Sequence, residues 1–284
     1  MRLLIFALII PLISLAQKDK PAYQLFDIKG KATRYTKLLA AAKDADMIFF
    51  GEMHNNPISH WLQYELTVDL AAINKQNLVL GAEMFETEDQ VALNEYLAGL
   101  ITDEILKKEI KLWPNYKTDY APLLELAKDS AIPFIATSIP RRYASMVYKN
   151  GLESLEQLDA QAKEWIAPLP IKYDVELPGY MKMLEMAGPH GGDKLPNAQA
   201  IKDATMAHFI LKNMKENSQF IHYNGAYHSN NFEGIVWYIK QKKPELKILT
   251  ISTGEQETIN KLDEESIGVA DFVLLVPMSM TKTH

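Results

Sequence analysis

The chain has 284 residues, no cysteine, 30 basic against 36 acidic side chains and a formal charge of −6. Without a thiol there are no disulfides, no thiolate metal ligands and no lipid attachment through cysteine. The mildly acidic balance provides no electrostatic footprint for nucleic acid, and a chain this long buries a sizeable core without covalent staples.

Met1-Arg2 opens the chain, an apolar run extends from Leu3 to Ile13, and Ser14-Leu15-Ala16 follows. A basic start, a short apolar stretch and small residues at −3 and −1 are the parts of a secretory signal peptide cleaved after Ala16. The run is shorter than the ~20 residues of a membrane-spanning helix. Loss of Arg2 with this leader takes the formal charge from −6 to −7. The expectation is an exported protein of the periplasm or cell envelope, residues 17–284 forming one domain.

Six apolar runs rich in β-branched or aromatic residues predict strands: Met47–Gly51, Leu78–Glu83, Phe134–Thr137, Phe220–Tyr223, Ile248–Ser252 and Phe272–Val276. Most are continuously apolar, as strands covered on both faces are. Between them, His60–Ile73 and Ala198–Met214 carry apolar residues at helical spacing. The alternation predicts an α/β fold, a mostly parallel sheet flanked by helices. From Ala144 to Pro196 no strand pattern occurs, and short amphipathic pieces with Tyr148, Tyr173 and Tyr180 predict a helical cap, approximately 144–196.

Ligands of open parallel sheets gather beyond the carboxyl ends of the strands. The first predicted strand leads into Gly51-Glu52-Met53-His54, with His60 beyond, and the second ends in Glu83-Met84-Phe85-Glu86. The third leads into Pro140-Arg141-Arg142 and the fourth into Gly225-Ala226-Tyr227-His228. Glu52 and His54 are two residues apart and point the same way if strand geometry continues. Glu52, His54, Glu83 and His228 could hold Zn²⁺, Mn²⁺ or Fe, or act as general acid and base on a substrate. Against this stands a plainer reading, in which the rim groups only pair with one another. His60 and Arg141 are candidates for contacting a substrate, with loop support and backbone capping as their plain alternatives. Glu86 could equally be a first-turn helix carboxylate. His208 and His222 read as structural. No Gly-x-Gly-x-x-Gly, phosphate-cradling loop, Gly-x-Ser-x-Gly elbow or His-Glu-x-x-His occurs.

The stretch Gly51-Glu52-Met53-His54-Asn55-Asn56-Pro57 with His60 and Gln63 resembles the opening motif of the ChaN family in the Tiki superfamily. So do Glu83–Glu86, Asp89-Gln90, Pro140-Arg141, Tyr180, His190-Gly191, Gln199, Asp203–Ala207 and Gly225–His228, in the same order from about Asp46 to Pro277. The resemblance implies a parallel-sheet core with a helical cap, export, and haem binding linked to haem and iron uptake. It implies a tyrosine haem ligand, with Tyr173, Tyr180 and nearby His190 as candidates, a homodimer pairing two haems, and an outer-membrane iron or haem receptor as partner. The chain departs from lipid-anchored relatives by lacking the cysteine, and in having Tyr227 before His228. The same superfamily contains Tiki metalloproteases, whose two Gly-x-x-His units and glutamate match Gly51–His54, Gly225–His228 and Glu83, and, more distantly, erythromycin esterase-like proteins. The alternative function is thus a divalent-metal-dependent peptidase or esterase, using metal-activated water.

Overall fold

The computed structural model describes residues 19–187 and 194–284. The leader at 1–16 and His190 lie outside the described residues. Strand β1 (Gln24–Asp27) turns back into the short β2 (Ala32–Thr33), and helix α1 (Tyr35–Lys43) leads to β3 (Met47–Glu52). Helix α2 (Pro57–Asn74) connects to β4 (Leu78–Glu86), then α3 (Gln90–Leu97), α4 (Asp103–Glu109) and α5 (Ala121–Ser130) precede β5 (Phe134–Ser138). An all-helical stretch follows: α6 (Arg141–Asn150), α7 (Ala160–Lys163), α8 (Pro178–Ala187) and α9 (Leu195–Asn213). The chain ends with β6 (Gln219–Gly225), α10 (Ile235–Lys242), β7 (Ile248–Gln256) and β8 (Phe272–Pro277).

These strands form one eight-stranded sheet in the order β2-β1-β8-β7-β3-β6-β4-β5. The stretch from β8 to β5 is parallel throughout, and β1 and β2 extend its edge antiparallel. All six predicted strands are present and make up the parallel part. The antiparallel edge escaped the sequence reading because β1 offers only two buried residues, Leu25 and Phe26, too few for a periodic signal.

Both faces are covered, which is why the central strands read as unbroken apolar runs: β3 is buried at every position. Successive side chains alternate between faces. Ile48 and Phe50 of β3, Leu78, Leu80 and Ala82 of β4, and Ile221 and Tyr223 of β6 join the core beneath α1 to α5. Met47, Phe49, Val79 and Phe220 point the other way, into a core with α9 and α10. A third cluster ties α6 and α7 to α9, so the cap rests on a crossover helix rather than on the sheet alone. No helix among the described residues is long and apolar enough to cross a membrane.

Helix ends at the carboxyl rim are set locally. Asn56 caps α2, its Oδ1 accepting from the Ile58 and Ser59 amides at 3.1 Å each, with Pro57 in the first turn. Gly234 opens α10 at φ 55°, and a Cβ there would lie 2.4 Å from the His228 carbonyl oxygen. Only glycine combines that backbone angle with so close an approach.

Candidate functional site

β3, β6 and β4 are neighbours, so their carboxyl ends deliver Glu52, Gly225 and Glu83 side by side. The pleat then separates them. Glu52 continues the series Ile48, Phe50 and faces the α2 and α5 side, whereas Glu83 continues Val79, Gly81 and faces α9. Two buried networks result, one on each face, and they meet over Gly225.

On the first face, Glu52 is 2 % exposed and takes three donors. Its Oε1 accepts from His54 Nδ1 at 3.0 Å and from the Tyr120 hydroxyl at 2.8 Å, and its Oε2 accepts from Gln63 Nε2 at 2.7 Å. Buried His60 faces acceptors with both ring nitrogens: Gln63 Oε1 at 3.1 Å from Nδ1, and the His54 carbonyl at 3.1 Å from Nε2. Asp119 Oδ2 is 3.4 Å from the same Nε2. Asn115 Nδ2 donates to the His54 carbonyl at 2.7 Å and to Asp119 at 2.6 Å. The Thr283 hydroxyl also reaches Asp119, and its amide holds the Asn55 carbonyl. His54 itself is 38 % exposed, with its ring edge-on to Trp113 at 4.8 Å.

On the second face, His228 lies between two carboxylates. Its Nε2 is 3.1 Å from Glu83 Oε1, and its Nδ1 bonds Asp203 Oδ1. Asp203, on α9, accepts the Tyr180 hydroxyl at 2.9 Å, and Glu83 Oε2 accepts the Gly225 amide at 2.8 Å. Gln199, one turn before Asp203, brings its side-chain nitrogen within 2.9 Å of His228 Nδ1. The histidine that faces solvent and the one sealed inside belong to different networks.

Charge follows this wiring. Burial alone would lower the His228 pKa, but the charges and bonds of Glu83 and Asp203 outweigh it and raise it to about 9. Burial opposes ionisation of Glu83, yet His228, His54 and the Gly225 amide hold it well below the usual carboxylate range. Asp203 is pushed up by burial, against the pull of His228 and Tyr180. For His54 burial is again opposed and overcome, by the Glu52 bond and the charges of Glu83 and Glu52, so its pKa rises. His222 has no such carboxylate bond; burial takes it down to about 4, and it bridges Asn224 and Thr137 as a neutral ring.

The four predicted rim residues are therefore brought together, but as two pairs. Among the described residues, no group of three or more His, Asp or Glu is disposed to hold a metal ion. The expectation that Glu52, His54, Glu83 and His228 share one divalent ion therefore gains no support: strand parity sends the two glutamates to opposite faces, and their oxygens take protein donors. His60 supports the loop from within. Arg141 begins α6 exposed, its amide donating to Glu86 Oε2 at 3.0 Å, while its neighbour Arg142 grips Glu88 and covers Tyr143 and Trp165. Glu86 is thus the last residue of β4 and a cap for the α6 amide rather than a first-turn carboxylate. Tyr180 is 3 % exposed and committed to Asp203, so its oxygen is not presented to a haem iron in this conformation; Tyr173 is half-buried, its ring 5.8 Å from that of Tyr180. Tyr120, Asn115 and Asp119 were absent from the sequence reading. They lie between predicted elements, and only the segment's fold over the Glu52 loop reveals them.

The family of haem-binding uptake proteins of the Tiki superfamily, ChaN, matches residues 38–239. The chain belongs to this family. ChaN of Campylobacter jejuni, whose structure describes cofacial haem binding, is similar over 89 % of this chain and 96 % of its own, with a TM-score of 0.67 at 18 % identity. A Bacillus cereus protein is similar over 85 % of this chain and 90 % of its own, with a TM-score of 0.51 at 12 % identity. In sequence, the chain is 24 % identical over 266 residues to the chloroplastic protein RETICULATA-RELATED 5 of Arabidopsis thaliana, and spans about a third of that relative's length, 35 %. The ChaN architecture expected from the motifs, a mostly parallel sheet with flanking helices, is the one observed.

Proposed function

We propose that this ChaN-family chain is an exported haem-binding protein that serves haem and iron uptake in the cell envelope, as a homodimer working with an outer-membrane receptor. The observation that carries the reading is the match to the haem-binding uptake family across 38–239. The cap supplies chemistry in keeping with it. Tyrosinate suits ferric haem, and the Tyr173 hydroxyl has no hydrogen-bond partner among the described residues, in contrast to Tyr180. Val175 and Met181, each 48 % exposed, add apolar surface to the same segment. Tyr173 is the residue that would hold the iron, with Tyr180 and Asp203 bracing the helix behind it.

Burial raises the Tyr173 pKa, so the tyrosine gives up its proton only when iron displaces it. Haem affinity then rises with pH. The test is a haemin titration of the mature protein by visible absorption, at pH 6 and pH 8.5. Expected are stoichiometric Soret and charge-transfer bands, tighter binding at the higher pH, and loss of the charge-transfer band in Tyr173→Phe but not in Tyr180→Phe. Absence of saturable binding overturns the haem reading, and an unchanged spectrum in Tyr173→Phe overturns the ligand. Amino-terminal sequencing of protein recovered from the periplasm checks cleavage after Ala16.

A further inference from the structure

We propose that the slot between the 167–172 segment and helices α9 and α10 is a ligand site for a short aliphatic monocarboxylate, separate from the Glu/His rim. The slot has a volume of about 120 Å³. It is bordered on α9 by Ala204 and Ala207, three residues apart and so on one face of that helix. Two methyl groups reach less far towards α10 than longer side chains would, and Tyr238 of α10 borders the gap they leave. The 167–172 segment does not fall into this gap, because both its ends are tied. The Ala167 amide donates to Thr205 Oγ1 at 3.2 Å, and the Lys172 carbonyl accepts the Tyr238 hydroxyl at 2.7 Å. Between these ties Pro168 and Pro170 stiffen the backbone and bring no amide hydrogen.

The lining defines the ligand. Ala204, Ala207, Ile171 and the two prolines present carbon, and the hydroxyl of Tyr238 is already donated. An alkyl group belongs there, since a polar one would forfeit its hydrogen bonds to water. A cavity of about 150 Å³ holds a benzene ring, so this one holds a chain of about four or five carbons. The lining also includes the exposed Lys172 and Lys242. Lys172 Nζ donates to Gln241 Oε1 at 2.8 Å and lies 5.0 Å from the centre of the Trp237 ring. Among the described residues no carboxylate pairs with either lysine. Helix α10 carries no acidic residue and α9 only Asp203, which is committed to His228 and Tyr180. In a chain of formal charge −6, this mouth is locally cationic. His208 registers the field: burial, then Lys242 and Lys212, hold its pKa below the usual value. Lys242 also ends α10, and the free carbonyls of a helix carboxyl end work against a doubly charged phosphate. A single carboxylate on a short carbon chain satisfies both parts of the slot.

Such a group has two sources: a free short-chain acid, or the propionate arm of a porphyrin, itself a short alkyl carboxylate. The slot borders the tyrosines of the cap, for Lys172 directly precedes Tyr173 and the charges of Tyr238 and Tyr173 interact. One titration separates the two.

The full-length protein without added haem is titrated with acetate, butyrate, pentanoate and octanoate, and the methyl resonances of Ala204, Ala207 and Ile171 are followed by NMR. Expected are saturable shifts at these methyls, with affinity rising about fourfold per methylene up to pentanoate and level beyond it. Pentanol, which lacks the charge, should bind about tenfold more weakly than pentanoate, and Lys242→Gln should weaken pentanoate by about the same factor. Ala207→Leu, which fills the slot, should abolish binding. Circular dichroism reports whether the variants fold; if Ala207→Leu does not, Lys242→Gln, at an exposed position, decides alone. Haemin is then added to the pentanoate complex. Displacement of pentanoate assigns the slot to a haem propionate, and simultaneous binding assigns it to a free acid. No saturable shift, unchanged affinity in Lys242→Gln, equal binding of pentanol, or affinity still climbing to octanoate would each overturn the proposal without touching the haem reading.

Discussion

The buried His228 predicts how stability depends on pH. Its ring is 6 % exposed, between Glu83 and Asp203, and its pKa is raised from 6.5 to about 9. A difference of that size corresponds to roughly 3 kcal/mol of preference for the protonated ring in the folded state. Because the folded pKa exceeds the unfolded one, the contribution is fully present below about pH 6.5 and is lost as pH rises through about 9. Glu83 is held low by the same pairing, so its own contribution is not added; it is lost only in acid. Urea unfolding of wild type and His228→Gln at pH 6, 7.5, 9 and 10 measures the effect, since other groups titrating there cancel in the difference. At pH 6 the variant should be less stable by roughly 3–5 kcal/mol, the cost of leaving buried carboxylates without their cation. By pH 10 the gap should shrink by roughly 3 kcal/mol. Parallel pH profiles for the two proteins, or a His228 ring resonance titrating near 6.5 by NMR, would refute the reasoning.

Two further substitutions examine the scaffold. Gly234→Ala combines positive φ with a Cβ 2.4 Å from the His228 carbonyl oxygen, and should lower thermal stability by about 2–4 kcal/mol; a change under 0.5 kcal/mol would mean that the turn relaxes freely. Asn56→Ala removes the α2 cap and the bond from Asn56 Nδ2 to Glu255 at 2.8 Å. It should cost about 2 kcal/mol in urea unfolding, with hydrogen exchange accelerating at the first turn of α2 and the His54 loop; unchanged protection there would count against the cap as the anchor of that loop.

The parallel sheet, the two long crossover helices and the identity of the rim residues were legible in the linear chain, because each rests on local pattern. Strands buried on both faces are apolar throughout, helices repeat at 3.6 residues, and strand ends at the carboxyl rim carry the polar groups. What the linear order could not supply is the register between strands and the packing of distant segments. Face parity splits Glu52 from Glu83 only once β3, β6 and β4 are known to be neighbours. Tyr120 reaches Glu52 from 68 residues away, and Gly225 donates to Glu83 across 142. Tyr180 is one of the haem-ligand candidates the resemblance implies, and only the packing of α8 on α9 commits its hydroxyl to Asp203. Local propensity chose the elements and the chemistry at their ends, while tertiary packing decided which of those groups neutralise one another and left His54 facing solvent.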